Sequence, residues 1–451
     1  MKNYLLIPLL WSGILFGGLS DSLTLKKLSD EILVNGKSYE DLRELTKGIG
    51  HRLSGSEAYE KSVVWAQKKL KEAGAEKVYL QEVMVPHWQR GKESLEIKRG
   101  NGSYRPVKML SVGNSEGTGG KDLTGQILLV KSFEELEALE DSKVKDKVVF
   151  FNFEWNHAHV ETFNAYSEAG KFRRSAASEA AKKGAKAVII RSLSSAFDQV
   201  PHTGSLSYTM GIKKIPAVAI GALSADELAQ ELKENKVTAK LNSEAQMLEE
   251  KLSYNVIGEI AGSTSSSVVV VAGHLDSWDV GEGAHDDGSG IVQSIEVLRA
   301  FKNLGIKPRH TIRVVCYANE ENGVRGGNAY LEEVKKSGEK HLFALESDAG
   351  GFTPRGISLD MSEEKIKEVT AWAPLFLPYG AYDFSKRYGG VDIGPLKKIG
   401  VPLAGLVPDS QRYFDLHHTE KDVFEAVNRR ELLLGATVMA QLIYLVDQHW
   451  D

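Results

Sequence analysis

A mixed, largely parallel α/β sheet flanked by helices, with a smaller unit inserted into it, is what the amino-acid sequence implies. Three observations carry this. From Asn255 onward strand-like and helix-like segments alternate, the pattern of a largely parallel sheet. A chain of 451 residues is too long for one ordinary core, so two domains are expected. Residues 115–243 carry a strand and helix series of their own, set between 21–114 and 244–451, which form the two parts of the main body.

The elements follow in chain order. Lys2, the apolar run Tyr4 to Leu19 and the polar Ser20-Asp21-Ser22 make residues 1–20 a secretory signal, with the mature chain beginning near Asp21. The run is short for a membrane span, and Pro8 and Gly13 weaken it further, so no permanent anchor is expected. Leu25 to Lys47 and Glu57 to Ala73 have helical spacing, with Gly74 as a stop and a turn at Gly48 to Ser56. Lys77 to Val85 alternates like a strand. In the inserted unit, strands are expected at Gln126 to Lys131, Lys147 to Phe153, Ala187 to Arg191 and Ile215 to Ile220. Helices are expected at Ser175 to Lys183 and Ala225 to Lys233, and Asn242 to Leu252 reads as a return linker. Beyond it come strands Val268 to Ala272, Thr311 to Tyr317 and Leu342 to Leu345. One helical face carries Ile291, Ile295, Leu298 and Phe301, and a last helix spans about Asn428 to Gln448.

Composition excludes some functions. Hydrophobic content of 42% and charged content of 26% describe a soluble globular protein. A net charge of -5 without a long basic block argues against nucleic acid as a partner. The single cysteine, Cys316, lies in a strand pattern, so no intrachain disulfide forms. Export without disulfides fits a periplasmic or secreted bacterial protein.

The chemistry concentrates after the strands. Ala272 to Gly290 crowds His274, Asp276, Asp279, Glu282, His285, Asp286 and Asp287 into one glycine-laced turn. Ionised carboxylates so close repel one another, so either water solvates them or a cation gathers them. Glu320 and Glu321 follow the next strand, Asp348 the one after, and ligands of open parallel sheets bind outside those strand ends. The glycine spacing does not match a dinucleotide cradle, and so many acids would repel a phosphate. Trp278 stands where a helix-loop-helix calcium site needs an oxygen. Mixed nitrogen and oxygen donors suit zinc or a neighbouring transition metal, and the surplus of acids suggests two metals sharing one.

"GHLDSWDVGEGAHDDGSG", "YANEENGVRGGNAYL", "ESDAGG" and "YFDLHHTEKD" together resemble the M28 family of co-catalytic zinc exopeptidases. "GHRLSGS" and "VPHWQRGKESLEI" are similar to the N-terminal part of its carboxypeptidase branch, and the inserted unit to a protease-associated domain. The resemblance implies the zinc exopeptidase fold and two Zn2+ per chain. It places His274 and Asp348 on one zinc, Glu321 and His418 on the other, and Asp286 on both. Glu320 would be the general base, and Asp276 would orient His274. It also implies a cis peptide bond between Asp286 and Asp287. Asp287 stands where many relatives have asparagine, and Asn319 where alanine is frequent. The H-T-x-x-D spacing selects His418 over His417, and His285 reads as a wall or surface residue rather than a ligand. Arg387, Arg412 and Tyr413 are the candidates to meet a substrate carboxylate.

The function so implied is hydrolysis of dipeptides or short peptides, with the inserted unit narrowing the cleft. The branch resembled favours unsubstituted C-terminal residues, and an aminopeptidase is the alternative. A peptide-binding receptor on a retired scaffold and a one-metal glutaminyl cyclase are the alternatives of other classes. The partner expected is a short peptide, with a homodimer left open.

Overall fold

The computed structural model describes residues 12–451, with side chains from Ser20 onward. The expected secretory signal therefore lies outside the described residues over 1–11. Among the described residues no helix is long and apolar enough to cross a membrane.

Two sheets organise the chain. The first has seven strands in the order β1-β10-β12-β11-β13-β15-β14. These are β1 (Lys77–Gln89), β10 (Gln246–Ile260), β11 (Val268–His274), β12 (Thr311–Tyr317), β13 (His341–Glu346), β14 (Pro354–Asp360) and β15 (Leu403–Pro408). Pairing is parallel among β12, β11, β13 and β15 and antiparallel at both edges, so the sheet is more evenly mixed than its strand–helix alternation implies. The long helices Ser12–Asn35, Ser289–Asn303 and Arg429–His449 share a core with this sheet, and Arg325–Ser337 contributes to a core that also takes residues from β11, β12 and β13.

The second sheet has eight strands in the order β3-β2-β9-β5-β6-β7-β8-β4. They are β2 (Glu93–Arg99), β3 (Arg105–Val107), β4 (Met109–Ser111), β5 (Leu123–Val130), β6 (Val148–Phe151), β7 (Ala187–Arg191), β8 (Ala217–Ile220) and β9 (Val237–Ser243). β2 to β4 thus lie in this sheet although they precede residue 115. The two chain crossings run side by side: Lys92 N–H donates to Glu244 Oε2 at 3.0 Å, and Glu244 N–H to the Lys92 carbonyl at 2.9 Å.

Three expected elements differ, each for a physical reason. The single helix expected at Leu25 to Lys47 is two, Ser12–Asn35 and Ser38–Gly48, broken at Gly36, where a Cβ would stand 2.3 Å from the Ile32 carbonyl oxygen. The helix expected from Ser175 starts at Thr162. Its aromatic first half, with Gly170 following, has weak helix propensity, and packing of Phe163 and Tyr166 on Phe414 overrides that. The return linker is strand: Leu252 pairs with Met84 and Met247 with Trp88, because the outgoing and returning chains zip together.

Cys316 is fully buried in β12, and burial pushes its thiol up. A thiol reagent should therefore leave the folded protein unmodified and react with one equivalent per chain in denaturant. Reaction at native conditions would show that β12 opens.

Candidate metal centre

The site grows from the carboxyl ends of three adjacent parallel strands. β11 is apolar on both faces and ends in His274, which is buried. The turn Ala284–Gly288 brings Asp286 and Asp287 back over that end, and the bond between them is cis, as the resemblance implies. β12 is followed by Glu320 and Glu321, and β13 by Asp348. The fourth contribution, His418, comes from a loop far along the chain.

The geometry is compact. His274 Nε2 lies 3.2 Å from Asp286 Oδ1 and 3.3 Å from Asp348 Oδ1. His418 Nε2 lies 3.2 Å from Asp286 Oδ2 and 3.2 Å from Glu321 Oε2. The two oxygens of Asp286 therefore face two separate donor sets. Two ligands about 2.0–2.2 Å from a tetrahedral ion are ~3.3 Å apart, so each set has the spacing a zinc needs. Among the described residues Glu321 Oε1 is buried without a hydrogen-bond partner, as an oxygen held for a cation would be. His417 and Asp287 also come within ligand distance of these sets. Asp287 is otherwise engaged, since its oxygens accept the N–H groups of His274 at 3.0 Å and Gly290 at 2.9 Å. His417 stacks on His418 with ring centroids 3.4 Å apart, and its Nε2 stands further off, 3.6 Å from Asp286.

Electrostatics agree with a site built for cations. Burial, then the surrounding carboxylates Asp348, Glu321 and Asp286, push Glu320 well above the usual carboxylate range. Burial and Asp286 do the same to Glu321. Such a cluster is costly without positive charge to neutralise it.

The residues around it differ from expectation in one respect. Asp276 was expected to orient His274 through its carboxylate, but that group lies 3.7 Å from Nδ1, and the Asp276 carbonyl accepts from Nδ1 at 3.1 Å instead. The carboxylate accepts the backbone N–H of Glu320 at 3.1 Å and of Glu321 at 3.3 Å, and Ser54 Oγ–H at 3.1 Å. It therefore fixes both glutamates. His285 is a wall: it is buried, stacks on Phe352 at 4.2 Å and accepts from Gly351 N–H.

Two supports escaped the sequence reading. Asp422 accepts the N–H groups of His285 at 2.7 Å and Asp286 at 3.1 Å, holding the turn. The buried Arg52 donates to the carbonyls of Leu275, Glu282 and Gly283. Both sit in the motifs quoted above, as the Asp of H-T-x-x-D and the Arg of "GHRLSGS". The outer acids of the turn are paired with cations, Asp279 with Arg90 and Glu282 with Lys47.

A cleft of ≈ 550 Å³ opens beside Asp348. Its walls include Arg387 and Tyr388 from the main body and Phe163, Asn164 and Ser167 from the helix Thr162–Lys182. Of the three substrate candidates, Arg387 lies in it. Arg412 lies over the Phe352 ring with its side chain 65% exposed, and Tyr413 is buried against Phe163 and His417. A larger hollow of ≈ 710 Å³ between β1 and the helix Arg325–Ser337 holds none of the candidate ligands, and its Arg313 is ion-paired with Glu339.

Comparison with known proteins bears on this geometry. Residues 255–443 match the model of peptidase family M28. The chain is 33% identical to carboxypeptidase Q of Bos taurus over 98% of its own length and 95% of that protein's. It superposes on a peptidase M28 precursor from Shewanella amazonensis with a TM-score of 0.90 at 33% identity, covering 95% of this chain and 97% of that one. A zinc aminopeptidase from Bacillus subtilis, at 20% identity and a TM-score of 0.67 over 92% and 96% of the two chains, shares the fold.

Proposed function

Because the chain belongs to peptidase family M28, and is thereby a zinc-dependent metallo-exopeptidase acting on peptides, we propose that it is a di-zinc enzyme that hydrolyses dipeptides or short peptides from a free C-terminal end. One observation carries the count of two: Asp286 turns one oxygen to His274 and the other to His418, each at 3.2 Å. His274 and Asp348 would hold one ion, Glu321 and His418 the other.

A bound zinc pair would supply Lewis acidity toward the attacking water and the scissile carbonyl. The chain supplies the proton transfers and the positioning. Glu320, fixed through its backbone by Asp276, takes the proton of the attacking water and gives it to the leaving amine. Glu320 belongs outside the ligand set because His418 Nε2 already meets its neighbour Glu321.

Charge in the cleft favours a carboxylate-bearing end. Arg387 donates to the carbonyls of Phe384 and Lys386, and among the described residues no carboxylate pairs with it. The acids of the same cleft are engaged: Glu346 accepts the N–H groups of Val391 and Ile393, and Asp360 pairs with Lys397. Among the described residues that line this cleft, Arg387 is thus a cation open to a substrate carboxylate, whereas of the three acids two are engaged and the third, Asp348, is a candidate metal ligand. The helix Thr162–Lys182 walls this cleft, which supports short substrates. We read the inserted unit of residues 115–243, whose sheet also takes β2 to β4, as protease-associated-like, and residues 1–20 as an export signal to the periplasm or medium.

Three substrates test the direction: a free dipeptide, its N-blocked form and its C-amidated form. Amidation should abolish cleavage, and N-blocking should be tolerated better. The opposite ranking would make the enzyme an aminopeptidase, and fewer than two zinc ions per active chain by mass spectrometry would reject the di-zinc reading.

A further inference from the structure

The loop that carries His418 is held at Asp422 by the turn over β11 and, around His418 itself, by the inserted segment. Ser194 Oγ donates to the Phe414 carbonyl at 2.6 Å, Ser195 Oγ to Asp415 at 3.0 Å, and His202 Nδ1 to the His417 carbonyl at 2.8 Å. Thr203 N–H donates to the carbonyl of His418 itself at 3.1 Å. His418 has φ of 63°, a left-handed conformation that a non-glycine residue holds only when its surroundings impose it.

Arg173 completes this clasp. It rises from the helix Thr162–Lys182 and is 8% exposed. Its Nη2 donates to Tyr166 Oη at 2.6 Å, and its Nη1 lies 3.4 Å from both the Thr203 carbonyl and His418 Nδ1. With Nε2 of His418 turned to Asp286 and Glu321, Nδ1 carries the ring proton and donates to the Thr203 carbonyl at 3.3 Å. Arg173 and His418 therefore share one acceptor. Gly204 makes room for them: a Cβ there would stand 2.4 Å from Arg173 Nη1 and 2.7 Å from His418 Nδ1. A ligating histidine commonly depends on the partner of its other nitrogen for orientation, and losing such a partner weakens metal binding about 10–100-fold.

We propose that the inserted segment builds one side of the metal centre, with Arg173 as the positioning residue that locks His418 through the Thr203 carbonyl. This rests on the reading of His418 as a ligand of one zinc ion.

The test measures zinc affinity by chelator competition and the visible spectrum of the cobalt-loaded protein, with the melting temperature of the metal-free chain as a fold control. Arg173→Met should weaken one of the two ions about 10–100-fold and alter part of the cobalt spectrum, with the metal-free melting temperature little changed. Arg173→Lys, which keeps the cation, should recover part of the affinity. Tyr166→Phe, which frees Arg173 Nη2, should weaken the same ion to a smaller degree and decides the matter if Arg173→Met does not fold. Wild-type affinity and spectrum in Arg173→Met, or in Tyr166→Phe where that variant decides, overturn the proposal. So does a loss that follows the metal-free melting temperature and is not recovered by lysine. His418→Ala separates the premise: if it keeps both ions, the ligand reading fails; if it loses one while Arg173→Met loses none, only the positioning role fails.

Discussion

Glu320→Gln should lower turnover by about 10²–10⁴-fold while the protein keeps its full complement of zinc, because the amide retains shape but cannot accept a proton. Glu321→Gln should behave differently. Its Oε2 is 3.2 Å from His418 Nε2 and its Oε1 has no hydrogen-bond partner among the described residues, an arrangement suited to a cation. A neutral amide is a poor zinc ligand, and this variant should lose metal and regain part of its activity in added zinc. Added zinc should do nothing for Glu320→Gln. Stoichiometry beside turnover in both variants decides: metal loss in Glu320→Gln with retention in Glu321→Gln would reverse the two roles. Because Asp276 accepts the backbone N–H of both residues, either substitution leaves their main-chain positions fixed.

Much of this arrangement is legible in the sequence where local chemistry decides it. β7 and β12 match their expected bounds because each is a β-branched run closed by polar or turn residues. Asn428, expected at the start of the last helix, is its cap and accepts from the N–H groups of Arg430 and Glu431. The ligand candidates are legible because histidine and acids recur after successive strands. Elements decided by distant packing are not. Residues 246–252 look like a polar linker alone and become strand only against β1. Arg173 and His418 are 245 positions apart, and an arginine on a surface-like helix gives no sign that it will be buried behind a histidine. Asp276 shows the same limit at short range. Two residues from His274, it invites pairing with that imidazole, yet the turn aims its carboxylate at the amides after β12.

Asp286 and Asp287 are adjacent, both buried and both acidic, and their substitution by asparagine should have opposite consequences. Asp286→Asn replaces one of two oxygens that face separate donor sets with an N–H₂ group that cannot ligate. On the proposed di-zinc reading one ion would lose an anionic ligand outright, and the loss of affinity should exceed the roughly 10–100-fold that follows removal of a mere orienting partner. Turnover should fall with it, because the pair no longer acts together. Asp287 has other work. It ties the end of β11 to the start of the helix Ser289–Asn303 by accepting from His274 N–H and Gly290 N–H. In Asp287→Asn one of these donors would face an amide N–H₂ group, leaving a buried N–H unpaired at a cost of about 1–3 kcal/mol. That variant should melt earlier, bind two zinc ions and keep most of its turnover when loaded. Metal content and melting temperature measured on both variants distinguish the assignments. If Asp286→Asn holds two ions and Asp287→Asn does not, the bridging oxygens belong to Asp287 and the ligand set must be redrawn around it.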